Sequence, residues 1–287
     1  MSHFADRLHE KVRERGNPVC LGLDPRWDSL PASIAKRHDP SPEGMAAAYE
    51  AFCGRVLEIA GPLVPAVKPQ AAFFEACGPE GMAALRRLLA QARALGAVTI
   101  LDGKRNDIAS TATAYADAAF GLWGADSLTV NPYLGRDAVE PFLASARKVD
   151  GGVFVLVRTS NPGAGLFQDL KAEGRPLYRH VGERVAEWAR ERLGADGYGD
   201  VGAVVGATYP AELAELRAAL PEVVFLVPGF GAQGGTAADV RAAFRPDGLG
   251  AVVNSSRGIL FPFKPDDGGW EVKVEKAARE TVAALKA

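Results

Sequence analysis

The chain has 287 residues, 48% of them apolar and 24% charged, with a formal net charge of −2. This length suits one barrel-sized domain with added loops, and the composition excludes a disordered chain. The near-neutral charge excludes a general attraction to nucleic acid or to an anionic membrane surface, so an anionic ligand has to be held by a local site.

Residues 1–16 are charged and lack an apolar run, so no signal peptide is expected. No stretch approaches the ~18 apolar residues of a membrane span. Cys20, Cys53 and Cys77 form an odd set without C-x-x-C spacing, which predicts buried free thiols in a reducing cytoplasm. The histidines, His3, His9, His38 and His180, share no metal-ligand spacing, so neither a metal nor a Ser-His-Asp triad is expected.

Short apolar, β-branched runs recur along the chain. The first spans 19–23 and is followed by Asp24; the second, 64–68, ends in Lys68. The third, 98–101, leads into Asp102 and Lys104, and a fourth follows at 127–130. The fifth, 153–157, precedes Ser160, and the sixth covers 201–205. The seventh, 223–227, opens onto Pro228 and a glycine-rich loop, and the eighth, 251–254, leads to Arg257. Such runs are nearly continuous in apolar character, as strands buried on both faces require.

The segments between them read as amphipathic helices. Met82, Leu85, Leu88, Leu89 and Leu95 share a face, with Gly96 at the C-terminal cap. Pro210 opens a helix carrying Leu213, Leu216 and Leu220, which Pro221 ends. Thr236 and Asp239 have capping-box spacing, and a last helix spans roughly 272–286. Eight alternating units predict an α/β fold of the (β/α)8 TIM-barrel class, one catalytic domain over 1–287. A doubly wound open sheet would want a glycine-rich loop after the first strand, where the chain reads Leu23-Asp24-Pro25-Arg26. The longest excursions, 25–42 and 161–176, fall at the C-terminal mouth, where barrel enzymes build their sites.

Polar residues cluster at those strand ends. Asp102 and Lys104 are two apart, so extended backbone points them the same way, and Lys68 reaches the same space from the neighbouring strand. Asp24, Lys68, Asp102, Lys104 and Asp107 are costly to bury unless they pair, and a paired lattice holds lysines charged and fixed. The alternative is a structural salt-bridge lattice. The run Pro228-Gly-Phe-Gly-Ala-Gln233-Gly234-Gly235 offers unhindered backbone N–H groups before a helix start, and Arg257 adds a guanidinium. Placed after the seventh and eighth strands, these form a phosphate site and, through the glycines, a candidate lid. Asn131 and Asn161 either line the pocket or turn the chain, and the four tryptophans read as packing residues.

The Asp102-x-Lys104-x-x-Asp107-Ile108 run, the 228–235 loop and Arg257 together resemble the orotidine 5′-monophosphate decarboxylase family, in its longer bacterial branch. Ala109 departs from the commoner branch, which has proline there. The resemblance implies metal- and cofactor-free decarboxylation of orotidine 5′-monophosphate to uridine 5′-monophosphate in a cytoplasmic homodimer. It implies that Lys104 protonates carbon 6 and that Asp102 sits beside the substrate carboxylate. Lys68 and Asp24 then contact ribose hydroxyls, and Ser160 contacts the pyrimidine. Pro228, Gln233, Gly234 and Arg257 hold phosphate, while Asp107 and Thr111 reach the neighbouring subunit's site. Three rivals share parts of the pattern. They are a Schiff-base aldolase using Lys104, a metal-using sugar-phosphate decarboxylase and a phosphate-binding sensor.

Overall fold

The computed structural model describes residues 3–231 and 235–286. The eight expected strands close into one parallel barrel. They are β1 (Val19–Leu23), β2 (Ala66–Pro69), β3 (Val98–Arg105), β4 (Ser127–Val130), β5 (Gly152–Arg158), β6 (Val201–Val205), β7 (Phe225–Val227) and β8 (Ala251–Ser255). Each pairs with the next in the chain, and β8 returns to β1 with Cys20 opposite Asn254.

Two strand ends differ from expectation in ways that matter for the site. β3 runs on to Arg105, so Asp102 and Lys104 lie inside it and not beyond it. β2 begins at Ala66, past Pro65, and continues through Lys68 to Pro69. The 161–176 excursion is also not featureless. It holds a short helix, Gly165–Gln168, and an antiparallel pair, Lys171–Ala172 with Arg175–Pro176.

The helices form where apolar spacing and caps predict them. The Gly78–Ala94 helix buries Leu85, Leu88 and Leu89, and Gly96 follows it at φ 81°, a left-handed turn that glycine adopts without strain. The Pro210–Ala219 helix and the Thr236/Asp239 capping box also match. The Trp270–Leu285 helix closes the fold.

One helix was not anticipated. Phe4–Arg15 buries Phe4, Leu8 and Val12, spaced four apart, and ends at Gly16 with φ 65°. This helix seals the bottom of the barrel. Phe4 meets the Phe154 ring edge-on, with centroids 5.9 Å apart, and Leu8 packs with Ile100, Val224 and Val252 inside the barrel. A second, larger apolar shell fills the space between strands and outer helices. All three cysteines are free and buried, and burial pushes the Cys20 thiol up to about 12, which leaves it unreactive. None of the described helices is long and apolar enough to cross a membrane.

Candidate active site

The mouth of the barrel opens on a cavity of about 540 Å³. Its floor follows from strand geometry: inward positions recur every second residue, and toward the C-terminal ends they turn from apolar to polar. On β3 the inward series is Val98, Ile100, Asp102 and Lys104, and the last two face the cavity.

Asp102 is the hub. Its Oδ2 accepts from Lys68 Nζ at 2.6 Å and from Gln70 Nε2 at 3.2 Å. Its Oδ1 accepts from Lys104 Nζ at 2.6 Å and from Thr129 Oγ1 at 2.9 Å. Four donors saturate the carboxylate. Burial opposes its charge, but Lys68 and Lys104 hold its carboxyl well below the usual carboxylate range. Burial likewise opposes charge on Lys68, yet Asp102 and Asp24 hold that ammonium above the ordinary lysine value.

The local backbone is shaped for this contact. The β3–β4 register shifts between Leu101 and Arg105, and Lys104 takes φ 44°, a left-handed conformation uncommon for a lysine. The Thr129 hydroxyl accepts from the Lys104 backbone N–H at 2.9 Å, so one residue of β4 fixes both Lys104 and Asp102. Strain of this kind, held by its surroundings, is typical of functional positions.

Lys68 and Lys104 differ in access. The Lys68 side chain is 4% exposed and that of Lys104 45%. The lattice expected from five residues is therefore smaller in one chain. Lys68, Asp102 and Lys104 pair, whereas Asp24 lines the cavity with a buried Oδ1 that has no hydrogen-bond partner among the described residues. Asp107 stays outside the lattice: its carboxylate accepts from the Ile108 backbone N–H at 2.8 Å. β3 ends at Arg105, and Ala109 turns at φ 47° into the Ala109–Ala116 helix, on which Thr111 is exposed. Proline, fixed near φ −65°, could not adopt that turn, so alanine at 109 is consistent with the backbone.

Ser160, Pro228 and Arg257 line the cavity as expected, and so does Asn161. Asn131 does not; its Oδ1 accepts from the Tyr133 backbone N–H at 3.0 Å in a turn. Gln233 and Gly234 lie outside the described residues. Asn254, at the start of the run leading to Arg257, lines the cavity too, and so do Gln70, Thr129 and Gln168, which the sequence pattern did not mark out. The first three were within reach of the every-second-residue rule, applied upward from Ala66, Ser127 and Val252. Gln168 had no local signal.

Among the described residues no group of three or more His, Cys, Asp or Glu side chains is placed to hold a metal ion. The mouth is thus a preorganised array of two ammoniums around the Asp102 carboxylate, with Asp24 in the same cavity and Arg257 on its rim. Such an array suits an anionic substrate on which charge develops during reaction.

Comparison with known proteins bears on this geometry. The family model described as orotidine 5′-phosphate decarboxylase / HUMPS family matches residues 17–265. A Rhodopirellula baltica protein named orotidine 5′-phosphate decarboxylase is 49% identical over 301 residues, covering 100% of both chains. One of the same name from Roseiflexus castenholzii is 42% identical, covering 99% of this chain and 98% of that one. The solved Leishmania donovani OMP decarboxylase superposes with a TM-score of 0.79 at 38% identity, covering 99% of this chain and 97% of that one. This chain belongs to the orotidine 5′-phosphate decarboxylase / HUMPS family.

Proposed function

We propose that this chain decarboxylates orotidine 5′-monophosphate to uridine 5′-monophosphate without metal or cofactor, with Lys104 as the acid that protonates carbon 6. The observation that carries this reading is the single carboxylate, Asp102, held between two ammoniums at 2.6 Å. Breaking the bond from carbon 6 to the carboxylate leaves an electron pair on a vinylic carbon with little resonance help. A fixed ammonium beside that carbon both stabilises the pair and supplies the proton. Exposure favours Lys104 for this role: it can regain its proton from water, whereas Lys68 is sealed in.

Asp102 sits beside the substrate carboxylate and disfavours it in the ground state, while keeping Lys104 aimed. Its four occupied acceptor positions leave none for a metal, which weighs against the metal-using rival. Lys104 is ion-paired and does not stand alone in an apolar pocket, which weighs against a Schiff-base nucleophile. Asp24 and Lys68 contact ribose hydroxyls; the unpartnered Asp24 Oδ1 is an acceptor that a hydroxyl would satisfy. Ser160 contacts the pyrimidine, and Pro228, Gln233, Gly234 and Arg257 hold phosphate.

The chain acts as a homodimer, with Asp107 and Thr111 completing the partner's mouth. In support, both lie outside their own chain's cavity, and Ile108, next to Asp107 in the chain, leaves its apolar side chain 55% exposed. Residues 1–287 form one catalytic domain working in the cytoplasm.

Ultraviolet-monitored turnover of orotidine 5′-monophosphate by chelator-treated protein tests the proposal. Rapid loss of the substrate band with uridine 5′-monophosphate as product is the expected result. Folded protein that leaves the substrate intact refutes the reaction, and activity lost to chelator refutes metal independence.

A further inference from the structure

The end of β5 carries a buried charge that the proposed chemistry does not use. Arg158, the last residue of β5, is only 2% exposed. Its guanidinium stacks over the Tyr209 ring, 4.0 Å from the centroid, and pairs with Asp169 at 2.9 Å. A buried cation persists only when paired, so this contact ties the far limb of the excursion to the barrel wall.

The residue before Asp169 completes the tie. Gln168 folds back so that its Oε1 accepts from the Thr159 backbone N–H at 3.0 Å, and its Nε2 donates to Thr159 Oγ1 at 2.8 Å. Thr159 Oγ1 in turn donates to Asn161 Oδ1 at 2.7 Å. Gly206 walls the turn from the other side: a Cβ there would lie 3.0 Å from Ser160 Cβ, and its N–H donates to the Arg158 carbonyl at 2.8 Å.

Thr159 and Asn161 are thus fixed on either side of Ser160. The Ser160 hydroxyl makes no hydrogen bond among the described residues and lines the cavity, as Gln168 does. A mouth loop is ordinarily among the looser parts of a fold, and a two-point amide bracket is an economical way to set one hydroxyl.

We propose that Gln168, backed by Arg158 and Asp169, is a positioning residue that sets the Thr159–Ser160–Asn161 turn for recognition of the heterocyclic base. The inference rests on reading the cavity as a nucleoside monophosphate site. It concerns the base end only, because Arg257 stands beyond β8, three strands round the barrel from β5.

The test compares Gln168→Ala and Thr159→Val with the unsubstituted protein, using uridine 5′-monophosphate and ribose 5-phosphate as ligands. Losing one bracket should raise the KM for orotidine 5′-monophosphate and weaken uridine 5′-monophosphate by roughly ten- to hundredfold. Inhibition by ribose 5-phosphate, which lacks a base, should change by less than about twofold, since its contacts lie at distant positions. Gln168→Glu keeps the acceptor for the Thr159 N–H and should recover part of the loss. Equal losses for both ligands, or no loss for either, overturn the proposal. The unsubstituted protein's own turnover separates the two readings: inactivity there fails the decarboxylase reading, whereas activity there with equal losses in the variants fails only the positioning role.

Discussion

The two ends of this barrel are built from the same strands and do opposite work. On β3 the inward residues run Val98 and Ile100, then Asp102 and Lys104; on β2 they pass from Ala66 to Lys68, and on β8 from Val252 to Asn254. The lower set packs dry against Phe4 and Leu8 of the N-terminal helix. The upper set lines a polar cavity. Crossing from one regime to the other takes two residues. Asp102 and Lys68 could not be buried singly, but their pairing outweighs the desolvation and keeps both charged, while the apolar plug stabilises the fold by burying full-sized side chains. The comparison teaches that the plug carries stability and the mouth carries chemistry, so substitutions at the two ends should fail differently.

The largest expected effect is at the mouth. Lys104→Ala should lower kcat by roughly a thousandfold or more, because it removes both the proton donor and the fixed charge. Its melting temperature should fall only modestly, since Asp102 keeps Lys68, Gln70 and Thr129 as donors. Steady-state kinetics and thermal unfolding on one sample check this, and near-normal turnover breaks the assignment.

The mirror case is Phe4→Ala at the plug. Phe4 is fully buried, and emptying its site should cost about 3–5 kcal/mol of stability. The kcat measured well below the melting point should stay close to that of the unsubstituted protein. A selective loss of kcat there would show that the two ends are coupled.

A smaller effect concerns pH. The Asp102 carboxyl is held below its ordinary value of 3.8, so its stabilising contribution is complete above that value and fades as pH falls toward the depressed one. The melting-temperature gap between the unsubstituted protein and Asp102→Asn should be flat from about pH 5 to about pH 8 and narrow below about pH 4. A gap that widens in acid contradicts the pairing.

Much of the mouth was legible because strand alternation is local: Asp102 and Lys104 share a side by spacing alone, and the loops after β7 and β8 announce themselves by glycine and arginine. The plug was less legible. Charged residues such as Asp6, Arg7, Lys11 and Glu14 dominate 4–15 and mask the Phe4, Leu8, Val12 spacing. Asp107 is near Asp102 and Lys104 in sequence, but β3 ends at Arg105 and the Asp107 carboxylate turns to the Ile108 backbone N–H, which charge spacing alone does not reveal. Gln168 was out of reach altogether, because its contact with Thr159 depends on how the excursion folds back and not on any periodicity.

In the proposed reading Lys104, inside β3, serves its own chain's mouth, and Asp107, two residues past the strand's end, serves a partner's. Mixing Lys104→Ala with Asp107→Ala protein tests this most directly, since a mixed dimer carries one mouth with both residues intact. Each variant alone should be nearly inactive. Random assortment into dimers should restore roughly a quarter of the unsubstituted activity. A mixture whose subunits demonstrably exchange yet stays as inactive as its parents would contradict the account.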